Sequence, residues 1–197
     1  YSYQSTASLN SDRFSAYAQH SVDFNESHRL SYGFRLGYWN FNNQFIFSPS
    51  VQYALKPRWK KPFIFRAAVG VYQQPPFYRE LRDFEGNLHP ELKAQTSIHA
   101  VLGGERNFMM WKRPFKFTAE VYYKHLFNVI PYDVDDTRIR YYATNDATAC
   151  AAGIDMRISG EFIRDAQAWF SLGVMTVKED VGSDNEGYIR RPTDQRL

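Results

Sequence analysis

One cysteine in 197 residues, Cys150, excludes an internal disulfide framework. No apolar run approaches the ~18 residues that a transmembrane helix needs. An excess of one charge is missing too. Lys and Arg number 24 and Asp and Glu 21, a net +3 scattered along the chain, which gives no reason to expect a nucleic-acid partner. The five histidines (20, 28, 89, 99 and 125) lack the H-E-x-x-H spacing of a metal site, and the acidic residues Asp133, Asp135 and Asp136 lack the glycine and distal glutamate of an EF-hand loop. No G-x-S-x-G, P-loop or C-x-x-C occurs. No catalytic, cofactor-binding or metal-binding residue is therefore expected. The first residues, YSYQSTASLNSDR, hold no basic-then-apolar signal peptide, and the last, GYIRRPTDQRL, stop without a finished element. Both ends suggest a piece of a longer precursor.

What the chain has in excess is aromatic residues, 17% of the total, mostly Phe (16) and Tyr (14). Their arrangement is clearest in RLSYGFRLGYW, residues 29–39. Leu30, Tyr32, Phe34, Leu36 and Tyr38 alternate with Arg29, Ser31, Gly33, Arg35 and Gly37. Period two with one greasy and one polar face is the pattern of a strand.

The same unit recurs. Residues 11–24, 44–55, 63–72, 96–105, 115–124, 147–162 and 167–178 read as strands, giving about eight with residues 29–39. The first carries His20 on its apolar face, and the seventh carries Cys150 on its own. The segment 96–105 is weakly patterned, and 167–178 is apolar on both faces. Pro49 lacks a ladder donor and suggests an edge or a bulge in the third strand. Residues 138–142 read as a strand extension beyond the rim, residues 77–84 as at most one helical turn, and the segment after 187 as an interrupted ninth strand.

The connections differ in length. Those after the first, third, fifth and seventh strands are short. Residues 73–95, 128–146 and 179–187, after the fourth, sixth and eighth, form long polar loops. An antiparallel meander gathers odd connections at one end and even ones at the other, the asymmetry of outer-membrane barrels. The charges agree. Arg35, Arg66, Lys116, Glu120, Lys124, Asp155 and Arg157 all fall opposite the greasy face and are candidates to face a lumen. In the strands that can be oriented, no Arg or Lys falls on the apolar face. Trp59, Trp111 and Trp169 fall in or beside short turns, as an interfacial girdle requires, and Trp39 at the opposite end. Several strands reach ~10 residues, the length of a tilted membrane crossing. The fold class is all-β, an antiparallel up-and-down meander forming a segment of a larger transmembrane β-barrel. A soluble lipocalin-like barrel shares the same alternation.

Four stretches carry a family resemblance: FIFSPSVQYAL (residues 45–55), FRAAVGVYQQPPFYREL (65–81), GNLHPELKAQTSIHAVLGGE (86–105) and NDATACAAGIDMRISGEF (145–162). In this order they resemble the barrel portion of TonB-dependent outer-membrane receptors. Ser50 stands where that pattern usually has Arg, Gln95 where it has Glu, and Asp155 where it has Glu. The resemblance implies a barrel of ~22 strands around an N-terminal plug, in contact with outer-membrane lipid. It implies uptake of a scarce nutrient driven through the plug by a periplasmic energy-coupling protein. The expected location is the Gram-negative outer membrane. The loop residues Phe77, Tyr78, Arg79, Phe84, Tyr141 and Tyr142 are candidates to contact the ligand; equally, the loop aromatics could pack the loops against each other. Two other readings stay open: a small outer-membrane barrel acting as an anchor, and a rim enzyme using His125 with Asp133 or Asp135.

Overall fold

The computed structural model describes residues 10–59, 61–135 and 138–190, without the side chain of residue 135. Ten strands run in chain order: β1 (Arg13–Asn25), β2 (His28–Trp39), β3 (Gln44–Leu55), β4 (Phe63–Gln74), β5 (Gln95–Met110), β6 (Arg113–Val129), β7 (Tyr132–Asp135), β8 (Arg138–Tyr141), β9 (Ala147–Ile163) and β10 (Ala166–Val181). Eight of them form one antiparallel sheet in the order β1-β2-β3-β4-β5-β6-β9-β10. The described residues include no helix. β1 and β10 are the sheet's two edges and do not pair with each other, so these strands do not close into a small barrel of their own.

Register carries the two faces across the whole sheet. Val22, Leu30, Tyr53, Ala67, Leu102, Val121, Ile154 and Val174 stand opposite one another in a single row from β1 to β10. The next row is Asp23, Arg29, Ala54, Arg66, Gly103, Glu120, Asp155 and Gly173. Neighbouring side chains on a strand point to opposite sides, so one face is continuously apolar and the other polar or small. The apolar face is not covered by protein. Phe45 is 80% exposed and Leu102 61%. Soluble proteins rarely expose apolar patches beyond a few hundred Å²; a transmembrane barrel turns such a face to lipid.

The short turns gather at one end. Trp111 and Lys112 both take positive φ, 55° and 61°, and join β5 to β6 in two residues. That backbone twist matches the right-handed twist of the flanking strands. At the other end are the connections 40–43, 75–94, 130–146 and the segment after Val181.

Several details differ from the sequence expectation. β5 and β6 are longer than expected, 16 and 17 residues, chiefly because they run on to a two-residue turn at 111–112; the long loops shrink only to 75–94 and 130–146. Residues 138–142 do not extend a strand of the main sheet; Arg138–Tyr141 pairs with Tyr132–Asp135 in a separate hairpin. The main sheet thus needs no extra strand there, and the loop satisfies its own backbone. Pro49 marks no bulge but a local edge: β3 pairs with β2 along its length, while its ladder to β4 runs only over Ser50–Leu55 and stops at the proline. Beyond it, the Gln73 side chain accepts from Phe47 N at 2.8 Å, and Gln73 N donates to Ser48 Oγ at 3.2 Å.

Trp169 falls on the polar face opposite Ser159, with Arg157 5.3 Å over its ring, and not in the apolar girdle. Trp59 and Trp111 do pack on apolar-face rings, Trp59 on Phe63 and Phe65 and Trp111 on Phe115. Arg106 lies on the apolar face, between Phe63 and Phe117 in register, in the strand whose pattern is too weak to orient. Its guanidinium rests over Phe63 and Phe108, 5.1 and 5.9 Å from the ring centroids. The expected ninth strand is reduced, within the described residues, to one bridge between Glu179 and Ile189; residues 191–197 and Asp136 lie outside them.

Candidate functional site

The seven charged residues expected opposite the greasy face all register onto the polar face. Their surroundings differ along the strands. Towards the short turns, Glu105 Oε2 accepts from Arg66 Nη1 at 3.0 Å and from Lys116 Nζ at 2.9 Å. This carboxylate is buried while both cations are partly exposed, so one acid pairs with two bases across β4, β5 and β6. Glu120 and Asp155 face each other across β6 and β9. Each lies beside a glycine on the next strand. A Cβ at Gly103 would meet Glu120 Cγ at 2.9 Å, and one at Gly173 would meet Asp155 Oδ1 at 2.6 Å. The glycines leave room for the acids to lie along the sheet.

At the loop end a small core forms on the polar side of the sheet. Trp39, fully buried, packs with Leu81, Leu92, Ile130 and Ala143, with Phe41 and Tyr141 against them. Its indole Nε1 donates to Ser11 Oγ at 2.7 Å. Burying an aromatic of this size gives Leu81 and Leu92 of the first loop and Ile130 and Ala143 of the second a common apolar anchor. Polar clamps complete the anchoring. Asn145 Nδ2 donates to the carbonyls of Lys93 and Asn128, and its Oδ1 accepts from Lys93 N at 2.7 Å. Asn42 Nδ2 donates to Leu92 O at 2.8 Å, and Gln44 Oε1 accepts from Ala94 N at 2.8 Å. The first long loop is thereby fastened to the start of β3 and the turn before it, and the second to β6 and to the first loop.

Within the first loop, Asp83 is a hub. Oδ1 accepts from the backbone N–H of Glu85 and of Asn87, both at 2.9 Å; Oδ2 accepts from Asn87 Nδ2 at 3.1 Å and pairs with His89 Nε2 at 2.9 Å. His89 Nδ1 meets Glu91 Oε1 at 2.9 Å. The His89 bond, followed by those of Asn87 and Glu85, lowers the Asp83 pKa to about 2. The same bond to Asp83, with that to Glu91, raises the His89 pKa. Burial raises the pKa of Glu80, whose Oε2 takes Phe77 N at 2.8 Å and Gln95 Nε2 at 3.3 Å.

The six loop residues expected to contact a ligand do not form one cluster. Phe77, Tyr78 and Arg79 are exposed on the first loop. Phe84 and Tyr142 pack on each other edge to face, 4.7 Å between centroids, and so join the two loops. Tyr141 is half-buried on the Trp39 core, and burial raises its pKa. His125 turns to the apolar face, 4.4 Å from the Phe127 ring, while Asp133 sits in the β7–β8 hairpin, so these two are not brought together. Asp135 is outside the described side chains. Cys150 is half-buried and shares the apolar face with Ile154.

Sequence reasoning did not find the cleft beneath these loops. It encloses about 710 Å³ and is lined by Arg13, Arg35, Tyr72, His99 and Lys124 among others. It reaches from β1 to β6, which a flat sheet would hold roughly 24 Å apart at ~4.8 Å per strand, so the polar face is concave. The available signal was period-two alternation: each of these residues stands on the polar side of its strand.

An aromatic-edged apolar outer face, a concave polar inner face, short turns at one end and fastened loops at the other define the wall of an outer-membrane-type β-barrel. The chain belongs to the TonB dependent receptor-like β-barrel family, whose model matches residues 1–194. No curated protein matches the sequence.

Proposed function

We propose that this barrel segment belongs to an outer-membrane uptake receptor, in which the concave polar face lines the path of a nutrient and the loops 75–94 and 130–146 frame its entrance. The observation that carries this reading is the cleft of about 710 Å³ on the polar face, lined in part by Trp39, on which residues of both long loops pack. Loops held by a buried aromatic and by Asn clamps present a preorganised rim, which lowers the ordering cost of capture. Phe77, Tyr78 and Arg79 stand outermost on that rim and are the first contacts. Arg35, Lys124, Glu120, Asp155, Arg157, Arg66 and Lys116 face the lumen. Family membership supports an N-terminal plug within the barrel and an energy-coupling protein acting from the periplasm. Chemistry on the ligand is not part of this role; the barrel binds and passes it.

The test is growth of the host with the receptor gene deleted on media each limited for one nutrient. A defect confined to one nutrient, reversed by the intact gene but not by a gene encoding Phe77→Ala, Tyr78→Ala and Arg79→Ala together, supports uptake. Unchanged growth on every medium, with the receptor normally present in the parent strain, overturns it.

A further inference from the structure

The cations of the polar face are treated differently at its two ends. Towards the short turns, Arg66 and Lys116 share Glu105. In the loop-end cleft, the lining residues include Arg13, Arg35, Lys124 and His99 and no Asp or Glu. Among the described residues, the hydrogen-bond partner of the Arg35 guanidinium is Ser15 Oγ, at 3.2 Å from Nη2. Lys124 Nζ lies 5.7 Å from the Tyr122 ring centre, and among the described residues no carboxylate forms an ion pair with either. Arg13 is held in place, its Nη2 donating to Pro76 O at 2.8 Å and its guanidinium stacked 5.2 Å over Trp39.

The surrounding acids are otherwise engaged or remote. Asp12, next to Arg13 in the chain, is outside the lining, and its Oδ2 accepts from Asn40 Nδ2 at 3.1 Å. Glu80 reaches the cleft only through Gln95, and its carboxylate takes Phe77 N. Glu120 is four residues from Lys124 along β6, about 13 Å at ~3.3 Å per residue. Glu179 lies beyond β9, on β10. Positive charge gathered in a concave, low-dielectric site, with no acid in its lining, focuses the field on whatever enters.

We propose that the loop-end cleft is an anion site, and that the ligand of this receptor carries clustered carboxylate or phosphate oxygens that Arg35 and Lys124 bind together. Arg13 sets the edge of the site as it ties the first long loop to β1. The Tyr72 ring, half-exposed beside His99 at a centroid distance of 4.7 Å, gives the site one flat apolar wall. This assignment rests on the uptake reading for its physiological meaning, but not for its test.

The test uses the intact receptor in outer-membrane vesicles with Cys150→Ala as background and Gln74→Cys as a reporter on the cleft lining. Modification by an anionic and by a cationic methanethiosulfonate is compared, each normalised to its rate with a small free thiol. At low salt the anionic reagent is expected to react at least ~10-fold faster at the introduced thiol, within the range of electrostatic focusing. The double variant Arg35→Gln, Lys124→Gln brings the ratio close to one, and citrate or inorganic phosphate, but not neutral sorbitol, slows the labelling. A ratio at or below one overturns the proposal, as does a ratio unmoved by the double variant. So does preference for the cationic reagent, the result expected if plug carboxylates fill the cleft, and so does failure of both citrate and phosphate to protect. Loss of the uptake reading alone would leave the charge preference of the reporter thiol unchanged, so the two failures are distinguishable.

Discussion

Asp83 and His89 hold the first long loop closed on itself: Oδ2 and Nε2 are 2.9 Å apart across a six-residue span, and Leu81 O takes the N–H of His89 at 2.8 Å. The two groups titrate in opposite senses. Asp83 falls from its ordinary 3.8 to about 2, so its contribution is complete above 3.8 and is lost as the pH drops towards 2. His89 is raised above 6.5, so its contribution is complete below 6.5 and is lost as the pH climbs through the raised value. Protection of the amides of residues 83–91 from hydrogen exchange, after correction for the intrinsic rate, is therefore expected to be greatest between roughly pH 4 and 6.5. His89→Gln should remove the decline at the alkaline side and weaken the acid side, where Asp83 keeps only its Asn87 and Glu85 bonds. A protection profile that is flat from pH 5 to 8 in the unsubstituted protein would contradict this.

Trp39→Ala empties the anchor beneath both loops. Truncating a buried aromatic costs about 3–5 kcal/mol where the site cannot collapse. Loss of stability by urea unfolding in detergent, accompanied by new protease cleavage within residues 75–94 and 130–146, is the expected result. Phe45→Ala, on the exposed apolar face, is the comparison and should leave the loops resistant.

Glu105→Gln removes the one acid between Arg66 and Lys116. Both cations are 40–46% exposed at the side chain and partly screened by water. The expected cost is accordingly ~1–2 kcal/mol, below that of breaking a fully buried pair. Adding Lys116→Gln to this variant should recover part of the loss, a coupling that a double-mutant cycle measures.

Leu172 and Ser171 are neighbours on β10 that face opposite sides. An arginine facing lipid costs ~2–4 kcal/mol near the bilayer midplane. Leu172→Arg should be destabilising by about that amount in folding to lipid vesicles, and Ser171→Arg by less than ~1 kcal/mol. Equal effects would show that the two faces are not lipid and lumen.

Arg106 tests the depth dependence of the same rule. It lies towards the short turns, opposite Phe63 at the start of β4. The cost of a basic residue falls to ~0–1 kcal/mol near the interface. Arg106→Leu is expected to change stability by no more than this in either direction, measured by the same vesicle folding.

The strands were legible because each writes its own two faces into alternate residues: Leu30, Tyr32, Phe34, Leu36 and Tyr38 on β2 need no partner to be recognised. The same alternation put Arg66 and Lys116 on one side without any knowledge of Glu105. β5 was poorly legible because Gly103, Gly104 and Arg106 break its pattern, Arg106 by standing on the apolar side. β10 could not be oriented because Trp169, Met175 and Val177 make its polar side apolar as well; only its register with β9 decides it. The loop site was illegible for a different reason. Trp39 reads as one more aromatic at a strand end, and its burial depends on Leu81, Leu92, Ile130 and Ala143, which lie up to 104 positions away.

Period and composition by themselves determined the all-β class, the strand directions, the separation of the greasy from the charged side, and the end at which the loops gather. These follow from local backbone geometry, in which successive side chains alternate whatever the chain does elsewhere. Tertiary structure alone decided which cations are paired with an acid and which are not. Glu105 meets Arg66 and Lys116 diagonally across three strands, and Arg13, Arg35 and Lys124 share a cleft only because the sheet curls. Such neighbours depend on register and curvature, and both are settled by pairing between segments far apart in the chain.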